Sequence, residues 1–200
     1  MIDFLYHYFD ESVGPFRNLS DLEPEEAERV LNEIRVQKKG FASKRSMNYL
    51  TIRRSLEKRA RELFIQKGGE PIRSSPHYMT VGECPWLLEW FEKGKVLRIP
   101  ITEFDSLTLS FTYGDLFPTM RYQDGKKYRG QVYTLNEIGQ IINEFGLPQE
   151  WNSQGKDGPE RYIEVQVWDD KPLTSWLRKR VTRAEEKAWR VVHGRWDRVR

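Results

Sequence analysis

Residues 158–170 of the 200-residue chain read GPERYIEVQVWDD. Alternate residues of a strand point to opposite faces. Ile163, Val165 and Val167 therefore make one apolar face, and Tyr162, Glu164, Gln166 and Trp168 make the other. A carboxyl and an amide set between two aromatic rings suit a cleft wall, and equally an amphipathic surface. A second candidate lies in the basic segment 43–66, which reads as one long helix. At about 100° per residue, Tyr49, Ile52, Leu56, Ala60 and Leu63 fall on one side. Arg45 falls in the middle of that side, Arg53 and Glu57 at its edge, and Arg54, Lys58 and Arg61 point away. A guanidinium on the apolar side needs an anion or a hydrogen-bonded acid. Arg45 is therefore a candidate anion-binding residue. The alternative is an ion pair inside the fold, with Glu57 or a neighbouring strand.

His7 stands on the strand-like segment DFLYHYF with Leu5 and Phe9 on its face, where a histidine is either a hydrogen-bonded core residue or a catalyst. His77 opens a strand after Ser74-Ser75-Pro76, and His193 lies in a basic tail. No two histidines have metal-ligand spacing. In SFTYGD, Ser110 and Thr112 share one strand face against Leu109, Phe111 and Tyr113, and Asp115 follows Gly114 at the strand end. Hydroxyls on a strand face are ordinary β-compatible residues, so Ser110 and Thr112 matter to chemistry only if they share a cleft with Glu164. Phosphate-loop, nucleophile-elbow and C-x-x-C motifs are absent, and Gly68-Gly69 reads as a helix stop.

The elements that must position these residues follow from periodicity and punctuation. Strands are expected at DFLYHYF, HYMTV, KVLRIPITEF, SLTLSFTYG and residues 158–170, with KVLRIPITEF and SLTLSFTYG paired. MRYQDGKKYRGQVY adds two more as a hairpin, with Asp124-Gly125 in a type I′ turn. Helices are expected at LEPEEAERVLNEIR, where Pro24 suits the first position, over 43–66, at CPWLLEWFEKG as a buried helix, and at TLNEIGQIINEFG. The last has a capping box of Thr134 and Glu137 and a stop at Gly146. The class is α+β, with a mixed, largely antiparallel sheet of about seven strands and five or six helices. A single domain spans 1–171, and 172–200 form a basic helical C-terminal appendage packed on it, with a second capping box at Thr182 and Glu185.

Composition sets the limits. Aromatics are 13% of the chain and include seven Trp, enough for a core from few positions. Cys84 is the one cysteine, so an intrachain disulfide or a Cys-rich zinc site is excluded. No run approaches the roughly 18 apolar residues of a membrane helix, and MIDFLYHYFDES lacks the parts of a signal peptide. The expected location is the cytoplasm, with no membrane partner. Net charge is +3, but residues 35–73 carry an excess of nine positive charges and residues 178–200 an excess of six. The partners this suggests are a nucleotide or other anionic ligand, or nucleic acid bound through the basic helices. Solvated basic helix faces are the plainer reading.

On the phrases GPFRNLSDL (14–22), PHYM (76–79), SFTYGD (110–115) and GPERYIEVQVW (158–168), the chain resembles a group of uncharacterised bacterial proteins of about 200 residues. That group implies no activity. Leu5-Tyr6-His7 on a first strand, followed by helices, a hydroxyl-bearing strand and a late strand with Glu164, resembles the ADP-ribosyltransferase-like fold. That resemblance implies an NAD-using enzyme. Glu164 would be catalytic, its carboxylate stabilising the oxocarbenium-like centre left by nicotinamide loss. His7 would bind the nicotinamide ribose, Ser110 or Thr112 would be structural or NAD-binding, Tyr162 or Trp168 would stack on nicotinamide, and Arg45 would hold the pyrophosphate. The order of the toxin-like members, Glu or Gln two residues before the Glu, is absent, since here Glu164 precedes Gln166. Glu164-Val165-Gln166 also resembles a variant of the E-x-K strand of metal-dependent nucleases, with Asp157 or Asp115 as second carboxylate. A third reading, from the Trp- and Arg-bearing tail, is a nucleic-acid or protein docking module. Across the enzymatic readings, the expected site is a cleft lined by Glu164, His7 and Arg45.

Overall fold

The computed structural model describes residues 2–38 and 40–178. Among these residues five strands form one sheet: β1 (Phe4–Asp10), β2 (His77–Val81), β3 (Gly94–Pro100), β4 (Leu109–Tyr113) and β5 (Ile163–Val167). Their order is β3-β1-β2-β5-β4, and every neighbouring pair is antiparallel. The helices are α1 (Pro24–Gln37), α2 (Tyr49–Gln66), α3 (Leu116–Arg121), α4 (Leu135–Phe145), α5 (Pro148–Trp151) and a sixth over residues 171–178. The α+β class holds.

Five strands rather than seven have a local cause. The expected hairpin does not form, because its first arm is helical. Asp115 caps α3 by accepting the Phe117 N–H at 2.8 Å, and Pro118 sits in the first turn, where no N–H is needed. Gly125 does take positive φ, at 75°, but the polar residues around it are drawn into ion pairs. Arg129 grips Asp124 at 2.9 and 2.7 Å and also pairs with Glu160. Of the second arm, Tyr133 alone bridges to a strand, at Phe111, while the Tyr128 ring packs on Tyr113 at 4.7 Å. The expected pairing of KVLRIPITEF with SLTLSFTYG is also corrected: β3 and β4 are the opposite edges of the sheet. The CPWLLEW segment is a 3₁₀ helix, Pro85–Trp90, with Leu87 alone buried. Residues 179–200, with the Thr182–Glu185 capping box and most of the basic tail, lie outside the described residues.

The sheet has two unlike faces. On one, Leu5, Met79, Ile99, Phe111, Ile163, Val165 and Val167 form the main apolar core beneath Ile138 of α4. Glu137 and Thr134 complete the capping box that starts α4. Leu173 and Trp176, just past the expected boundary at 171, pack on this same core. On the other face, Trp168 packs with Ala60 and Phe64 of α2 and Leu116 of α3, while Tyr162 packs with Cys84, Leu87, Trp86 and Trp90. Between these two apolar patches runs a polar strip: Glu164 and Gln166 of β5, Ser110 and Thr112 of β4, Tyr78 and Thr80 of β2. The strip sits here because β4 and β2 pair with β5 in register, Thr112 and Thr80 both opposite Glu164.

Candidate functional site

The strip is held by a continuous hydrogen-bond chain. The Trp168 indole donates to the Ser110 hydroxyl at 2.9 Å, and Ser110 donates to the Gln166 carbonyl oxygen at 2.9 Å. The Gln166 amide nitrogen donates to Thr112 at 3.1 Å and to Oε1 of Glu164 at 3.2 Å. Thr112 in turn donates to the carbonyl of Gly114 at 2.8 Å. A second donor to Oε1 of Glu164 is the Leu116 N–H, at 3.3 Å. Gly114 takes φ of +104°, and a β-carbon there would meet the Thr119 hydroxyl at 3.2 Å, so a glycine lets the chain turn from β4 into α3 at this point.

Glu164 retains 7% exposure, and burial, then the charge of nearby Asp115, holds its carboxyl well above the usual 4.5. The hydrogen bonds from Gln166 and Leu116 and the more distant charge of Arg53 oppose that rise without reversing it. Burial therefore favours the protonated, neutral form of Glu164. Asp115 accepts from the Phe117 N–H and, at 3.1 Å, from the Tyr162 hydroxyl. Burial, with Asp115 and Glu164 alongside, pushes the Tyr162 phenol well above its ordinary value, so it too keeps its proton. The site thus has a carboxyl biased toward its protonated form, a second acid held by two donors, and a phenol bonded to that second acid. A perturbed acid with a named charge partner marks a functional candidate.

Arg45 lies on the same side but not in a helix. The long helix expected over 43–66 begins only at Tyr49, after a 3₁₀ turn Phe41–Lys44 and an extended Arg45 with φ −68° and ψ 139°. The register argument that put Arg45 on the helix's apolar side therefore fails. The residues thought to lie at the edge, Arg53 and Glu57, are the buried ones. Arg45 is nonetheless half-buried, with its guanidinium on the Tyr49 ring at 4.4 Å. Tyr49 itself stacks on Phe117 at 5.1 Å. Burial holds Arg45 below its ordinary value, and the charge of Asp115 counteracts this. Among the described residues no acid pairs with Arg45. Arg35 fixes the loop that carries it, donating to the carbonyls of Arg45 at 3.2 Å and Ser46 at 2.5 Å. Phe41 of the same loop stacks on Trp90 at 4.2 Å.

Arg53 shows what a matched arginine looks like here. It pairs with Glu57 at 2.8 Å and bonds Tyr49, Asn18 and Ser20, while Tyr78 and Ser20 also donate to Glu57. Glu57 is therefore taken by Arg53 rather than by Arg45.

The other expected residues divide. His7 does not join Glu164. It shares the face of Leu5 and Ile163, across the sheet from the polar strip, because Tyr6, not His7, lies opposite Thr80. Both its ring nitrogens are engaged by backbone: Nε2 accepts from Phe16 N–H at 3.0 Å and Nδ1–H donates to Tyr78 O at 2.9 Å. The ring lies between Phe9 and Phe16, and burial lowers its pKa to about 4. The expected three-residue grouping therefore loses His7. Ser110, Thr112 and Trp168 do reach the same network as Glu164, but all are 0% exposed, so they support the site rather than touch a cofactor. Tyr162 stands at its edge with 5% exposure. The residue that the expected Glu164, His7 and Arg45 cleft left out is Asp115. Its signal, an acid after a Gly at a strand end, is that of a helix cap. Arg35 gave no site signal, and Tyr49 only that of an apolar helix position.

Part of the basic excess of residues 35–73 is engaged inside the fold. Arg54 donates to Leu22 O, and Arg61 to Pro71 O and Arg73 O. Arg73 is clamped by Asp170, at 2.5 Å to both oxygens, and by Asp21. An open cleft beside this clamp is lined by Phe16, His77, Asp170, Leu173 and Leu177. There His77 bonds Asp170 at 2.8 Å, so the charged groups along this cleft are matched to one another. No helix among the described residues is long and apolar enough to cross a membrane. Among those residues no group of three or more His, Cys, Asp or Glu could hold a metal ion.

Comparison with protein-family models, with curated proteins and with solved structures returned no match.

Proposed function

We propose that the protein binds a small anionic ligand at Arg45 and acts on it through the Glu164 carboxyl as proton donor. The observation that carries this reading is a mismatch of charge. A half-buried guanidinium and two acids share one side of the sheet, near enough for Asp115 to act on Arg45, yet no ion pair closes between them. Such groups are normally paired inside a fold. A ligand anion supplies the missing partner, and the planar guanidinium stacked on Tyr49 presents its donors in a fixed fork. Tyr162 holds Asp115, and Glu164 offers a proton to a basic atom of the ligand. When it does so, the new carboxylate already has two donors, Gln166 and Leu116. General acid catalysis of this kind contributes typically 10²–10⁴-fold.

NAD is the narrower form of this reading, favoured by Arg45 and Glu164 lying on one side with the Tyr162 ring. It proceeds without His7. The test is a melting-temperature series with inorganic phosphate, pyrophosphate and NAD on the wild type and Arg45→Met. A ligand at 100 times its Kd stabilises by about 2.7 kcal/mol, roughly 5–10 °C for a chain of this length. The expected result is a shift in the wild type that Arg45→Met abolishes. No shift with any of the three, or an equal shift in both proteins, refutes the reading. A salt-sensitive shift with DNA or RNA instead of these anions favours a docking surface.

A further inference from the structure

The hydrogen-bond chain across β4 and β5 is anchored at both ends by groups that cannot reverse. The Trp168 indole only donates, and the Gly114 carbonyl only accepts. From these ends the direction of every bond between them follows. Ser110 receives from Trp168 and has its single proton left for Gln166, so the Gln166 atom facing it is the carbonyl oxygen. Thr112 gives its proton to Gly114 O and can only accept from Gln166, so the Gln166 atom facing Thr112 is the nitrogen. A reversed amide would set oxygen against the Thr112 lone pairs and leave the buried Ser110 proton without an acceptor. Each such buried loss costs about 1–3 kcal/mol. The second amide hydrogen therefore points at Oε1 of Glu164, which also receives the Leu116 N–H. Oε1 is thereby filled with donors, while Oε2 receives no hydrogen bond among the described residues.

We infer that Glu164 carries its proton on Oε2, and that Gln166 is the positioning residue that puts it there. The inference rests on the acid role given to Glu164 above, but not on the identity of the ligand. A carboxyl bearing its proton at the unengaged oxygen can present it outward without breaking a bond to the protein. A carboxyl free to flip would turn that proton into the strip half the time. The chain running from Trp168 to Gly114 thus converts a buried acid into a directed one.

Two measurements test this. Neutron diffraction on a crystal of the whole chain grown at neutral pH, without ligand, should find hydrogen on Oε2. Hydrogen on Oε1 overturns the inference while leaving the acid reading intact. Hydrogen on neither oxygen overturns both. The second measurement follows the Glu164 carboxyl by infrared difference titration in the wild type and in Gln166→Met, with Glu164→Gln to identify its band. Gln166 favours the charged form by donating to it, so its loss should move the midpoint upward by about one pH unit. A structural role alone would lower the melting temperature and leave the midpoint in place, and that result overturns the proposal.

Discussion

Replacing Glu164 by Gln should make the protein more stable, and only above a defined pH. Folded Glu164 is held well above the ordinary 4.5 by burial and by Asp115, whereas in the unfolded chain it titrates near 4.5. Between those two pH values the folded state keeps a proton that the unfolded state releases. Unfolding therefore becomes easier as pH rises, with a slope of up to about 1.4 kcal/mol per pH unit for one proton. The contribution of Glu164 is fully present below 4.5 and is lost as pH rises toward the folded value. Gln has no such proton to lose. Its amide also fits the hydrogen bonds: the carbonyl oxygen takes the place of Oε1 and accepts from Gln166 and Leu116, and the NH₂ takes the place of the protonated Oε2. Urea unfolding at half-unit steps from pH 4 to 8 measures the difference. Wild type and variant should coincide near pH 4 and diverge above 4.5, with the variant the more stable. Parallel curves across the whole range would show that Glu164 is ionised in the fold and refute the assignment.

Two further outcomes follow from the same geometry. Glu57→Gln leaves Arg53 buried without a counter-charge and should cost about 3–5 kcal/mol, or roughly 6–20 °C in melting temperature at 2–4 °C per kcal/mol, read by calorimetry. The His7 imidazole should remain neutral down to about pH 4, so its NMR signals stay constant from pH 8 to 5. The unfolded chain binds that proton near 6.5, so the stability His7 contributes is lost as pH falls from 6.5 through about 4. A midpoint near 6.5 in the native protein would mean the ring is not held by Phe16 and Tyr78.

Much of the strand that carries Glu164 was legible in the sequence, because a period of two allows only one assignment once a face is apolar. Ile163, Val165 and Val167 are each 0% exposed in the main core, and Leu109, Phe111 and Tyr113 answer them on β4. The Thr134–Glu137 box and the Gly146 stop marked α4 for the same reason: each is a local pattern with local physics. What was not legible depended on distant partners. The start of α2 at Tyr49 depends on Arg35 holding the carbonyls of Arg45 and Ser46, a contact ten residues back. Extending the helical wheel by one turn moved Arg45 onto the wrong element. The face of His7 relative to Glu164 depends on which strands lie between them, and β2 separates β1 from β5. Neither neighbour relation is written in the spacing of either strand. The hairpin was misread because Asp124-Gly125 makes the same local turn whether or not its arms pair.

The contrast between Arg45 and Arg53 is the strongest physical argument that the helix-covered face of the sheet is more than a packing surface. Both guanidiniums contact Tyr49, one at 4.4 Å from the ring and one through the hydroxyl at 2.8 Å. Arg53 is matched by Glu57, Asn18, Ser20 and Tyr49, which is how a fold stabilises a buried charge. Arg45 has an acid in its surroundings, Asp115, and that acid is tied down elsewhere, by Phe117 and Tyr162. Letting Asp115 swing to Arg45 would remove the cap of α3, worth about 1 kcal/mol, and would strip Tyr162 of its partner. The network therefore keeps acid and base apart at a cost in charge burial, and local costs of this kind persist where the surrounding structure over-determines them. A ligand with an anionic group at Arg45 and a proton-accepting atom at Glu164 would relieve that cost at both ends at once.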